Sequence, residues 1–199
     1  SYSPEEEARR KEERAASNKA AKEAREAKKA AAGKGVKAAE EKEAAPEAAA
    51  EGDAEGVEEV DGTNCGKRVN EYKAATNLPP KEAWPWCAAF VDWCVREAMA
   101  NGTYTFKRPT TAGAWDFENW SKAQGNETQT RRDPGDDIKA GDIVIFKFSH
   151  IGFAVEDADG STVVTVEGNT DSEGSREGGG VFRKTRKLSQ IKTRIRFTL

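Results

Sequence analysis

The chain has 199 residues, with 32 Lys and Arg against 35 Asp and Glu and a formal net charge of −3. That length holds one ordinary domain plus an extension, and the near-neutral balance lacks the basic footprint of nucleic-acid binding. No stretch approaches the roughly 18–20 consecutive apolar residues of a membrane span, and the first residues lack the apolar core of a signal peptide, so no export signal is visible in this chain.

The average hides a division. Residues 1–61 carry 12 Lys and Arg against 17 Asp and Glu, whereas residues 62–199 carry 20 against 18, and every Trp and Phe lies after Tyr72. The core is therefore expected in the second part, a domain of residues 62–199, with residues 1–61 as an extension. From Pro4 to about Ala32 the sequence is almost wholly Ala, Glu, Lys and Arg, with Glu5/Arg9, Glu6/Arg10 and Glu7/Lys11 at the favourable i, i+4 spacing. Helix is expected there, but Ala stands where a packed helix carries Leu or Ile, so little apolar surface is left to bury. Gly33, Gly35 and Pro46 interrupt it, and Glu51 to Gly62 is acidic and Gly-rich. The extension reads as a solvated helix and flexible linker, a spacer or a tether to another protein. The chain starts at Ser1 and its only Met is Met99, so a processed or trimmed start is expected.

A short helix is expected over 64–72, and the prolines 79, 80 and 85 break the chain before the next element. Residues 86–99 then place apolar side chains at 87, 90, 91, 94, 95 and 98, one face of a helix with Cys87 at its start. The unpaired N–H groups and positive dipole end of a helix N-terminus favour an anion, so a thiolate there is stabilised and an oxyanion can be held beside it. Cys94 falls two turns on, at a packing position, and Cys65 lies beside the linker. None of the three cysteines has C-x-x-C spacing, and a single histidine cannot build the common zinc sites, so no metal or other cofactor is expected.

Past a polar segment holding Trp115 and Trp120, strands are expected at 141–148, 149–156 and 161–166, with Asp159-Gly160 as a turn, and later strands at 180–184 and 191–197. His150 opens the second of these and Glu167-Gly168-Asn169 closes the third, so antiparallel pairing brings them to one edge. A nucleophilic cysteine needs an imidazole to take its proton, and the imidazole needs a carboxylate or amide to orient it. Glu167 and Asn169 are two apart and share a strand face, so either can serve. The basic residues 183, 184, 186, 187, 192, 194 and 196 read as solvated strand faces, and Asp142 as fixing a strand start. The fold class is α+β, helices packed on an antiparallel sheet of about five strands with Cys87 heading the central helix.

Residues 86–91 (WCAAFV), 141–146 (GDIVIF), 150–153 (HIGF) and 166–169 (VEGN) together resemble the cysteine, histidine-dependent amidohydrolase/peptidase (CHAP) domains, relatives of papain and of NlpC-type wall peptidases, over about residues 64–199. The spacings of 17 residues from His150 to Glu167 and 19 to Asn169 are similar to those of phage members. The resemblance implies a monomeric peptidoglycan hydrolase at the bacterial cell wall, from a phage lysin, a virion or a secreted enzyme, that cuts the muramoyl–L-alanine amide or a stem or cross-bridge peptide bond. Cys87, His150 and Glu167 or Asn169 would be catalytic, and Trp84, Trp86, Trp115 and Trp120 would line the substrate groove. Two departures stand out: 76–86 lacks the aspartates of a calcium loop, so no calcium site is expected, and Trp86 stands where some members carry Gln beside the oxyanion. The same residues would equally serve an amidase on a non-wall substrate. A non-catalytic wall-binding or virion module is the reading in which Cys87 is dispensable.

Overall fold

The computed structural model describes residues 45–54, 56–101 and 104–198, all within one unit that begins at Glu43. The helix expected over 4–32 lies outside the described residues. The helices are α1 (Pro46–Asp53), α2 (Lys67–Lys73), α3 (Cys87–Asn101) and α4 (Phe117–Lys122). The strands are β1 (Thr128–Arg132), β2 (Ile143–Phe146), β3 (His150–Ala154), β4 (Thr162–Thr170), β5 (Gly180–Lys187) and β6 (Ile191–Phe197), in one antiparallel sheet of order β1-β6-β2-β3-β4-β5. The α+β architecture is as expected, with six strands. The added strand is β1, TQTRR, whose polar residues carry no alternation. Its pairing with β6 and the Ser121–Thr128 hydroxyl contact, at 2.8 Å, hold it in the sheet.

Helix α3 departs from the one-sided pattern. Residues 87–95 are all buried, because β3 and β4 cover one side and α1 and α2 the other. A helix enclosed all round carries apolar residues all round, and Ala88 and Ala89 are what let neighbours come close. Tyr72 on α2 supplies the outer cover. Its ring stacks on Trp86 at 5.5 Å and meets Phe90 and Trp93 edge-on, each at 5.3 Å, and its hydroxyl donates to Asp53 at 2.8 Å. Arg68 bonds the same carboxylate through Nε and Nη2, at 3.0 and 3.1 Å.

These contacts change the reading of residues 45–60, expected as linker. Asp53 anchors α1 to α2, Ala50 is fully buried, and Glu59 accepts a bond from Trp86 Nε1 at 3.2 Å. Beyond α1 the chain runs along the start of β5: Glu58 bridges Gly180, Glu59 N donates to the Gly179 carbonyl and Val181 N to the Val57 carbonyl. An Ala- and Gly-rich composition hid this, since it carries almost no side-chain signal.

The sheet has two apolar faces. Ile143, Ile145, Ile151, Phe153 and Val166 pack toward α3, while Val144, Phe146, Val163 and Ile191 form a smaller cluster on the other side. The basic run on the last strands also differs from expectation. Arg186 and Arg194 are buried, and Lys192, Arg194 and Arg196 bond Glu118, Asp137 and Asp142. Asp142 holds the strand start as expected, accepting from Lys139 N and from Arg196.

Asp92 is a buried carboxyl within α3 whose two oxygens have no hydrogen-bond partner among the described residues. Burial pushes it up to about 9, against a smaller downward pull from Arg108. Its folded-state value lies above the ordinary 3.8, so the stability it permits is complete below about pH 3.8 and is lost progressively until it titrates near 9. Asp92→Asn is expected to match wild type in urea unfolding near pH 4 and to be more stable by about 1–3 kcal/mol at pH 8; equal stability at both pH values would contradict this.

Candidate active site

The site forms where the head of α3 meets the β3 and β4 ends. Two glycines allow the approach. A Cβ on Gly152 would sit 2.6 Å from the Val166 carbonyl oxygen and 2.7 Å from Glu167 Cγ, and one on Gly168 would sit 2.7 Å from Phe90 Cβ and 2.9 Å from a Trp86 ring carbon. Gly152 therefore lets β4 bring Glu167 against β3, and Gly168 lets the helix head settle on β4. Strand alternation puts Gly168 toward the helix and Glu167 on the opposite face, with His150.

His150 and Glu167 are fully buried, and Nε2 of the ring stands 3.0 Å from Glu167 Oε2. Cys87 is the more accessible of the three, at 7% exposure. Among the described residues neither ring nitrogen makes an aligned hydrogen bond; contacts of this kind tighten when substrate is bound. Phe148 stacks on the His150 ring, at 6.0 Å and 18°, and Phe146 flanks it at 5.8 Å. Burial lowers the pKa of the imidazole, but Cys87 and Glu167 beside it outweigh burial and hold it up at about 9. For Glu167, burial acts upward and is outweighed by Arg186 and His150, which hold the carboxyl down at about 2. The ring is thus flanked by a thiol on one side and an ionised carboxylate on the other, the arrangement that general-base activation of a thiol needs.

The two candidates for orienting the ring separate clearly. Glu167 reaches it, whereas Asn169 donates its amide to the Arg176 carbonyl at 3.4 Å and sits in the left-handed region, φ 58°, at a register break in β4. Asn tolerates that backbone better than most residues, which gives Asn169 a structural reason to be there.

The tryptophans also divide. Trp86 is fully buried, stacked on Tyr72 and bonded through Nε1 to Glu59, so it is core, and neither a groove wall nor an oxyanion donor. Trp120 packs with Phe106, Phe117 and Phe197 and donates to the Lys107 carbonyl. Trp84 is half-buried, donates to the Pro79 carbonyl and lies 5.3 Å from the Lys73 ammonium. Trp115 is 47% exposed and donates to the Phe146 carbonyl at 3.1 Å, and Phe146 is the cross-strand partner of His150. Of the four, it is the solvent-facing ring tied to the strand pair that bears His150.

Two residues were not singled out from sequence. Thr165 Oγ1 donates to Glu167 Oε1 at 2.6 Å, and Arg186 grips both carboxylate oxygens, at 2.8 Å from Nε and 2.5 Å from Nη2. Strand parity carries the signal: Glu167 pairs with Phe182, so even-numbered residues of β5 share its face.

Residues 79–169 match the family model for the CHAP domain. The match spans Cys87, His150, Glu167 and Asn169 and ends at Asn169. Among solved structures, the chain is similar to the crystal structure of a wild type endolysin, LysIME-EF1, at 26% identity over 35% of this chain and 37% of that one, with a TM-score of 0.31. Among curated proteins, none matches.

His150 is the only histidine, so its ring resonances titrate without overlap. By NMR the ring is expected to stay protonated through neutral pH with a midpoint near 9, and Glu167→Gln, which removes one of the raising influences, should move the midpoint down toward the ordinary 6.5. A midpoint near 6.5 in the wild type would show that the flanking groups do not hold the proton.

Proposed function

We propose that the domain hydrolyses an amide or peptide bond of peptidoglycan, with Cys87 as nucleophile, His150 as proton carrier and Glu167 as the group that orients and charges the ring. The observation that carries this reading is the buried His150–Glu167 contact at 3.0 Å beside the thiol at the head of α3, inside the matched segment. The proton that His150 carries at neutral pH is the one given up by the Cys87 thiol, and the sulfur attacks the carbonyl carbon. The oxyanion develops beside the first-turn N–H groups of α3, which lack acceptors within the helix. Because Trp86 is committed to Glu59, backbone groups are the donors in this scheme. Collapse breaks the C–N bond as imidazolium Nδ1, the nitrogen not held by Glu167, delivers its proton to the departing amine. A water, deprotonated by the neutral ring, then attacks the thioester and frees the thiol. Glu167 stays ionised throughout, held by Arg186 and Thr165.

Trp115 is the groove residue this reading favours, since a half-exposed ring beside the site, with the Lys192 ammonium 4.7 Å from its centroid, offers aromatic surface to a sugar or peptide stem. Purified sacculi incubated with wild type are expected to release soluble fragments, whose masses distinguish amidase from endopeptidase cleavage. Cys87→Ala should release at least about 10³-fold less, and Trp115→Ala about 10-fold less while remaining folded. Equal release by wild type and Cys87→Ala would eliminate thiol catalysis. Cleavage of a protein substrate with intact sacculi would redirect the substrate while keeping the chemistry.

A further inference from the structure

Arg186 lies outside the matched CHAP segment, on β5, yet it is the most extensively engaged cation near the site. It is 7% exposed, bonds both oxygens of Glu167, donates through Nη1 to the Gly174 carbonyl at 3.1 Å, and lies over the rings of Phe146 and Phe148 at 5.3 and 5.4 Å. Those two rings are the ones that flank His150. A bidentate guanidinium–carboxylate pair fixes both the position and the plane of the carboxylate.

The charge balance of the array shows why this matters. The ionisable groups meeting His150 are Cys87 from α3 and Glu167 from β4, and those meeting Glu167 are His150 from β3 and Arg186 from β5. If the thiol proton passes to the ring, a thiolate, an imidazolium and a carboxylate share a buried space. Those three alone sum to one uncompensated negative charge, which is costly where water is excluded. With the guanidinium the four sum to zero. We infer that Arg186 is a positioning residue for the reaction: by neutralising and orienting Glu167 it leaves the imidazolium charge available to the Cys87 thiolate. The inference rests on the proposed roles of Cys87, His150 and Glu167.

The same geometry ties the segment between β4 and β5 to the site. Gly174 sits at φ +83°, and a Cβ there would meet Arg186 Nη1 at 3.0 Å, so a side chain at this turn would press on the guanidinium. Lys184, two residues before Arg186, holds the Asp171 and Ser172 carbonyls of the same segment.

The test is the rate at which iodoacetamide alkylates Cys87, followed by mass spectrometry of the Cys87 peptide from pH 5 to 10, in wild type, Arg186→Met, Arg186→Lys, Glu167→Gln and the Glu167→Gln/Arg186→Met double variant. Thermal unfolding establishes that each is folded. Arg186→Met is expected to slow alkylation at pH 7 at least 10-fold and to move the rising limb of the profile to higher pH, with Arg186→Lys between it and wild type. In the Glu167→Gln background, the same change should alter the rate less than about 2-fold, because there is no carboxylate left to neutralise. Should Arg186→Met fail to fold, the Lys variant and the double variant, in which no charge is left unpaired, carry the comparison. Wild-type rates in folded Arg186→Met or, failing that, in Arg186→Lys, or equal slowing with and without Glu167, would overturn the inference. Because alkylation needs no wall substrate, this result is separate from the sacculus assay. A wild type that reacts only at alkaline pH, as an ordinary thiol does, would count against the proposed catalytic role itself.

Discussion

Everything at the site depends on how closely β3 and β4 approach. A carboxylate is useful to an imidazole only within hydrogen-bond reach, and here the reach is set by backbone, since Gly152 has no side chain to hold Glu167 away. The second glycine, Gly168, serves the other face of β4 by letting the head of α3 rest on it. One strand thus receives the histidine strand on one side and the cysteine helix on the other, with adjacent residues 167 and 168 doing so. Larger residues at either glycine would leave Cys87, His150 and Glu167 present but apart.

The rest of the fold keeps that arrangement dry and fixed. The enclosed helix α3 is covered by α1 and by Tyr72 of α2 on its outer side and by β3 and β4 on its inner side, so the thiol's position is determined by packing along nearly its whole length. On the far face of the sheet, Phe146 and Phe148 and the Arg186–Glu167 pair exclude water from the ring. Low polarity there strengthens each charge–charge contact and makes each unmatched charge expensive.

Much of this was legible in the sequence because it is local. A cysteine after a proline-rich break and before a 3.6-residue pattern marks a helix head, and a histidine and an acidic residue bounding a hairpin mark one sheet edge. What was not legible depends on contacts distant in sequence. That Glu167 stands 3.0 Å from the ring while Asn169 bonds the Arg176 carbonyl goes with a register break in β4. Arg186 read as a solvated strand cation because its partner lies 19 residues away on another strand. Trp86 read as a groove residue because nothing near it in sequence reveals that Glu59, 27 residues earlier, takes its indole proton. Strand β1 has no apolar pattern, and α1 is too poor in large side chains to announce that it packs.

The segment at Val57–Glu59 bears on how the sheet meets its surroundings. β5 is an outer strand, and an outer strand offers unpaired amides and carbonyls to any extended chain that passes. Its first residues are already engaged by Val57, Glu58 and Glu59. A polypeptide cut at the compositional border near residue 61 would lose that cover, together with the helix sealing Ala50 against the core, and would present an open strand end beside exposed apolar surface. Self-association and poor solubility would follow in a fragment in which Cys87, His150 and Glu167 were all intact.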